Sequence, residues 1–278
     1  CQWDDVMYGT DWPIVNLGDF SPRAVETLET VDFIAAEDTR VGAKLLNHFG
    51  IKKPLVSYHE HNHVTAGQAV LSRLLGGESC ALVTDAGTPA ISDPGEDLVR
   101  LCAKSGVEVR AIPGCCAAVN ALAVSGLPTG RFTFEGFLTV NRKSRREHLD
   151  SLKEETRTMI FHEAPHKLRT TLDDLTAAFG PERRISLCRE MTKLHEEVIR
   201  CTLAEAAAYY QENAPKGGYV LVVAGAAPKT GAAVTLEDGV AQVLALKAQG
   251  IRLKDAAKEV AEHTGLSKNE LYAAALEK

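Results

Sequence analysis

Val83 to Gly95 reads Val-Thr-Asp-Ala-Gly-Thr-Pro-Ala-Ile-Ser-Asp-Pro-Gly, directly after the apolar run Cys80 to Val83 and directly before an amphipathic segment carrying Leu98, Val99 and Cys102. That order predicts a long loop between a buried strand and a helix, the place where open α/β sheets take ligands. Gly87 and Gly95 let backbone approach a ligand, and Pro89 and Pro94 stiffen the loop. Asp93 reads as N-cap and Pro94 as the first helical residue. A second stretch, Arg189 to Glu197, follows a strand and mixes both charges with His195. It reads equally as a reactive loop and as a solvated one.

Three other groupings carry weaker chemistry. His162-Glu163-Ala164-Pro165-His166 satisfies the zinc-protease string H-E-x-x-H, but that string works only on one helix, and Pro165 places a strand end before it and a new helix after it. Zinc is therefore not expected there, while Glu163 at a strand end is a candidate ligand contact. His59, His61 and His63 alternate in a polar loop, where solvated or substrate-contacting histidines are commoner than metal ligands. Cys115-Cys116 beside Gly114 reads as small filler rather than as a redox pair. G-x-S-x-G, the Walker lysine loop and G-x-G-x-x-G are all absent from the sequence, so the usual hydrolase, P-loop and dinucleotide readings lack their signatures.

The elements that must position these loops alternate. Strands are expected at Met7 to Pro13, Phe33 to Ala36, Pro54 to Tyr58, Cys80 to Val83 and Val107 to Ile112, with helices between them. Five such strands predict a parallel, doubly wound first domain over residues 1–129. Residues 130–226 predict a second α/β domain of shorter, more antiparallel pieces, including a charged helix from Asn141 to Glu155. Ala227 to Thr235 reads as a linker. Beyond it, three helical stretches end in a pair around His263-Thr264-Gly265-Leu266, with Ala261, Gly265 and Leu271 at helix-turn-helix spacing; a plain helical hairpin would read the same way.

A length of 278 residues suits two domains plus an appendage. No run approaches a membrane span, no signal segment is seen, and the seven cysteines show no paired spacing. A soluble cytoplasmic protein is expected, with its start upstream of Cys1. A net charge of −6 advertises no polyanion partner, so any nucleic-acid binding rests on local patches.

Asn16-Leu17-Gly18-Asp19, Ala36-Glu37-Asp38-Thr39-Arg40, Thr84 to Gly95, Ile112-Pro113-Gly114, Glu163-Ala164-Pro165-His166 and Arg189 to Glu197 occur in order along the chain. Together they resemble the ribosomal RNA small subunit methyltransferase I family, of the tetrapyrrole methylase fold. The resemblance implies 2′-O-methylation of a cytidine in 16S ribosomal RNA, S-adenosylmethionine as cofactor with S-adenosylhomocysteine as product, and a homodimer. It places the cofactor between two α/β domains. By position it carries the cofactor role to Pro13, Asp85, Gly87, Thr88, Pro89, Cys116 and Ala117, with Phe161, Glu163 and Val222 as the remaining wall. The chain departs from the family pattern at Trp12 and Val15 around Pro13, and at Cys115.

Methyl transfer to a ribose hydroxyl needs in-line placement and a proton acceptor. Glu190 and Lys193 are expected to orient or deprotonate the hydroxyl, with Arg189 holding a phosphate. Arg142, Lys143, Arg145 and Arg146 are expected to contact the RNA backbone. The alternatives are methylation of a tetrapyrrole or another small molecule, and an RNA-binding assembly factor without catalysis.

Overall fold

The computed structural model describes residues 22–191, 193–227 and 235–277. The expected strand Met7 to Pro13, with Trp12, Pro13 and Val15, lies outside the described residues, as does most of the Ala227 to Thr235 linker. The chain divides into two compact units, Cys1–Ala226 and Ala227–Lys278.

The first unit opens with α1 (Pro22–Thr30), β1 (Phe33–Ala36), α2 (Thr39–His48), β2 (Leu55–Ser57), α3 (His63–Leu75), β3 (Cys80–Val83), α4 (Glu96–Lys104) and α5 (Ala117–Val124). The three strands are parallel, in the order β2-β1-β3. β1 is buried at all four positions, because helices cover both of its faces. Ile34 packs with Leu28, Leu45 and Leu46 of α1 and α2. Phe33 and Ala35 point the other way, into Val70, Leu71 and Leu98 of α3 and α4. Val107 to Ile112, expected as a strand, is not one: it forms no ladder with any described strand, Val109 is half exposed, and Glu108 and Arg110 spend their side chains on each other at 2.7 Å. An apolar alternation specifies a strand only where a neighbour supplies backbone partners.

The same unit continues through β4 (Phe132–Phe137), α6 (Arg142–Ser151), β5 (Thr158–Glu163), a 3₁₀ turn at Pro165–Lys167, α7 (Leu168–Phe179), β6 (Arg184–Arg189), β7 (Glu197–Thr202), α8 (Leu203–Glu212) and β8 (Tyr219–Val223). These strands form one sheet in the order β4-β5-β8-β6-β7, with β4 and β5 parallel and the remaining pairs antiparallel. The period of two sorts their side chains cleanly. Met159, Phe161, Leu187, Leu221 and Val223 face α7 and α8, where they meet Leu172, Leu175, Leu203 and Tyr210. Ile160, Cys188, Val220 and Val222 face α5, whose Ala118 and Ala121 let that helix lie close. α5 follows the first sheet in sequence and packs on the second.

The second unit is α9 (Leu236–Ala248), α10 (Leu253–Thr264) and α11 (Lys268–Leu276). Thr235 and Asp238 make a reciprocal capping box on α9. Gly265 closes α10 with φ of 72°, and Ser267 caps α11, as the helix-turn-helix spacing requires. The close approach is made by Gly239 of α9, where an added Cβ would come within 2.6 Å of Leu266 and 2.7 Å of Leu271. Ala261, expected to serve the crossing, is only one of the partly buried residues around that core.

Candidate active site

Glu37 sits just past β1 and the 84–95 loop just past β3, so both occupy the carboxyl edge of the first sheet. Thr84 donates its hydroxyl to Glu37 Oε2 at 2.6 Å, and the Asp85 amide reaches the same oxygen at 3.3 Å. Thr88 Oγ1 donates to the Cys115 carbonyl at 2.8 Å, tying the loop to the turn ahead of α5, where Cys116 is N-cap and Ala117 the first helical residue. Ser92 Oγ lies 3.3 Å from where a Cβ on Gly136 of β4 would stand. The loop is therefore bonded to the end of the first sheet and to the α5 turn, and it comes close to the edge of the second sheet.

Its backbone is unusual. Ala90 (φ 71°) and Ser92 (φ 60°) are two of the three non-glycine residues with positive φ among the described residues, and Glu190 (φ 48°) is the third. Such backbone gathers where function over-determines conformation. Both loops singled out in the sequence thus carry it. Gly87, at φ of 75°, is open above: a Cβ there would meet only Asp93 Oδ2, at 3.9 Å.

Asp93 was expected to cap α4 and does not; α4 starts at Glu96 with Gly95 as N-cap, and Asp93 turns inward under Gly87. Burial first, and then the charges of Glu37 and Asp85, push its carboxyl up to about 7. Burial, with Glu37 and Asp38 nearby, also raises Asp85. Asp38 caps α2 and pairs with Arg40 at 2.6 Å, and the Arg40 side chain holds the Asp38 carboxyl down at about 2. A raised carboxyl contributes stability that is whole below the unfolded value near ~4 and is lost as pH climbs through the folded value. Asp93→Asn should accordingly gain about 1–2 kcal/mol on wild type between pH 5 and pH 8. Urea melts of both proteins at the two pH values check this, and a constant difference would contradict it.

On the second sheet, Glu190 follows β6, and its Oε1 accepts from the Gly218 amide at 2.8 Å. The Lys193 ammonium lies 3.3 Å from Oε2, and both side chains are mostly buried. Gly217 has φ of 72°, and a Cβ on it would overlap the Glu190 carboxyl group. Met191 packs into the α5 cluster beside Cys116 and Ala117, so this loop borders the α5 face. Arg189 reaches across the β6–β7 pair to Glu197 at 3.0 Å.

Two expected wall residues face elsewhere. Phe161 is fully buried against α7 and α8. Glu163 is 3% exposed; its Oε2 accepts from Thr171, and its Oε1 accepts from the Ala164 amide at 2.9 Å. A strand alternates its faces, so β5 offers Ile160 and His162 to the α5 side instead. Val222 does lie on that side, fully buried beside α5. His162 carries no helical partner for H-E-x-x-H, since it lies near the end of β5 while His166 lies in the separate 3₁₀ turn Pro165–Lys167.

Arg145 also departs from the expected phosphate role. It is 8% exposed, with Nε 2.5 Å from Asp174 and Nη2 donating to Thr171 at 2.7 Å, which completes a buried chain through Thr171 to Glu163. Asn141 caps α6 so that Arg142, Lys143 and Arg146 stay exposed while Arg145 turns in. Arg145→Ala should cost about 2–4 kcal/mol by stranding buried partners, whereas Arg146→Ala stays within about 0.5 kcal/mol. Thermal denaturation of the two variants separates these roles.

Both sheets thus present loops at their carboxyl edges; Thr88 ties the 84–95 loop to the α5 turn at Cys115, and Ser92 lies close to Gly136 of β4. Residues 13–207 match the family model described as Tetrapyrrole (Corrin/Porphyrin) Methylases, and residues 234–278 match the one described as RsmI C-terminal HTH domain. The methyltransferase CobJ superposes with a TM-score of 0.55 at 20% identity over 74% of this chain and 88% of that one. Diphthine synthase superposes with a TM-score of 0.56 at 14% identity over 78% and 88%. The chain belongs to the tetrapyrrole methylase family.

Within that family its similarity is narrower. A Synechocystis protein named ribosomal RNA small subunit methyltransferase I is 48% identical over 98% of both chains. A protein of the same name from Halalkalibacterium halodurans is 46% identical over 98% of this chain and 95% of its own. The chain is a member of the ribosomal RNA small subunit methyltransferase I group.

Proposed function

We propose that the protein transfers a methyl group from S-adenosylmethionine to the ribose 2′-hydroxyl of a cytidine in 16S ribosomal RNA. The observation that carries this reading is the likeness to ribosomal RNA small subunit methyltransferases I, which spans 98% of the chain and takes in the helical unit. The residues present fit the cofactor. Gly87 leaves its backbone open, and Glu37, Asp85 and Asp93 gather carboxyl groups beside it. Those suit a ligand with a sulfonium and an ammonium group. Asp85, Gly87, Thr88, Pro89, Cys116 and Ala117 hold it, with Val222 behind α5; Pro13 belongs to the same proposal.

When bound, S-adenosylmethionine supplies an electrophilic methyl group. The chain's own work is placement and proton removal. Glu190, fixed by the Gly218 amide, accepts the hydroxyl proton, and Lys193 fixes that carboxylate from the other side. Arg189, Arg142, Lys143 and Arg146 attract phosphate. The working form is a homodimer in the cytoplasm. No described helix is long and apolar enough to cross a membrane.

A panel of small ribosomal subunits, protein-free 16S RNA and a precorrin, each incubated with methyl-labelled cofactor, tests this reading. Label in the RNA substrates alone supports it. Label in the precorrin alone, or calorimetry showing that S-adenosylmethionine does not bind, overturns it.

A further inference from the structure

β4 is an edge strand, and a row of aromatic rings lies along it in the open: Phe132 is 41% exposed, Phe134 39% and Phe137 56%. Strict alternation would send Phe137 to the opposite face from Phe134. A bulge prevents this. The register slips between Phe134 and Gly136, with Gly136 at φ of 62°, so that Phe134 pairs with Ile160 and Phe137 with His162, two residues on one face of β5. That is the face that carries α5 and the Cys116–Ala117 turn.

His162 stands edge-on to both rings, with centroids 5.2 Å from Phe134 and 5.4 Å from Phe137. Its Nε2 is buried and lacks a hydrogen-bond partner among the described residues. Burial holds this histidine below its usual range, so it props the rings as a neutral body. The bulge also meets the cofactor loop, through Ser92 against Gly136. Cations stand near the row along the chain. Arg131 directly precedes Phe132, and Arg142 and Arg146 lie on α6, which packs through Leu149 on the α7 side of the sheet; all three are exposed and form no ion pair among the described residues.

Exposed rings with cations nearby are the equipment for holding single-stranded RNA, whose bases stack on the rings while its phosphates meet the charges. We propose that Phe134 and Phe137 form a stacking platform for unpaired bases of the RNA strand beside the methylated nucleotide, with Arg131, Arg142 and Arg146 on its backbone. With the bulge between them, Phe134 and Phe137 stand opposite β5 residues two apart, a spacing of ~7 Å and about twice the rise of stacked bases, so each ring takes one base. The inference rests on RNA being the substrate. It adds to that reading the surface that selects single-stranded over duplex RNA.

The test uses the full chain with Phe134→Ala, Phe137→Ala, the double change, and Phe137→Tyr. Methyl transfer to small subunits is followed as KM and kcat, S-adenosylmethionine affinity by calorimetry, and binding of a short fluorescein-labelled oligocytidylate by anisotropy. Each Ala variant should raise KM and weaken oligocytidylate binding about tenfold, with cofactor affinity unchanged and Phe137→Tyr close to wild type. Ala variants within about twofold of wild type in both RNA readouts would overturn the platform. So would losses that follow a change in sedimentation from dimer to monomer, which would make the row an interface between copies. If the wild type fails to methylate subunits, it is the proposed function that fails. The oligocytidylate arm then decides the platform alone: equal binding by wild type and double variant, or none by either, refutes it.

Discussion

Glu190→Gln, in the full chain with saturating S-adenosylmethionine, should lower kcat on small subunits by about a hundredfold or more while cofactor affinity stays near wild type. Glutamine keeps the size and the acceptor oxygen for the Gly218 amide, and it removes the group proposed to take the hydroxyl proton. The strained backbone at Glu190, the hydrogen bond its amide donates to the Gly218 carbonyl at 3.0 Å, and the packing of its side chain over Gly217 all fix where the carboxylate points. Lys193→Ala should give a smaller loss, about tenfold or more, because it removes a positioning cation and leaves the acceptor in place. Turnover near wild type in both variants, with cofactor bound, would remove this loop from the chemistry. A matching fall in cofactor affinity would assign it to binding.

The other large effect is expected at Gly95. Its φ is 139°, and a Cβ would come 2.6 Å from Leu82 Cδ2 of β3 and 3.2 Å from the Ala90 nitrogen. Neither neighbour can yield cheaply, since Leu82 packs in the apolar layer under α3 and α4 and Ala90 already has positive φ. Gly95→Ala should therefore cost about 2–4 kcal/mol in denaturant melts. It should also weaken S-adenosylmethionine binding, because Ala90 lies two residues after Thr88, whose bond to Cys115 holds the loop against the α5 turn. Gly50→Ala is the control. Its φ of 67° is also positive, but nothing lies within 4 Å of the added atom, so only the backbone penalty of about 1 kcal/mol is due. Equal costs at the two positions would contradict the packing account.

The two loops were legible in the sequence because glycine, proline and mixed charge directly after apolar strands leave few other readings. Phe33 to Ala36 and Cys80 to Val83 were legible as strands from their short apolar runs. What a strand's faces do at its end was not. Phe161 and Glu163 were assigned to the cofactor wall by position along the chain, and the pleat sends both to the α7 side, bringing His162 forward instead. Asp93 looked like a helix cap because Asp before Pro usually is one. Its place under Gly87 depends on two non-glycine residues in left-handed backbone, which no local pattern announces. Arg145 was grouped with its neighbours by charge, yet a helix turns about 100° per residue, which puts it on the inner face toward Asp174. The Phe137 ring could be placed only with the bulge in view. Val107 to Ile112 shows the converse, an alternating segment with no ladder among the described residues.

Nucleoside analysis of small subunits treated with the protein and S-adenosylmethionine tests the central claim most directly. The RNA is digested to nucleosides and resolved by mass spectrometry. 2′-O-methylcytidine should appear with wild type and be nearly absent with Glu190→Gln. A methyl group found only on a base, or none in RNA while the cofactor is bound, would contradict it.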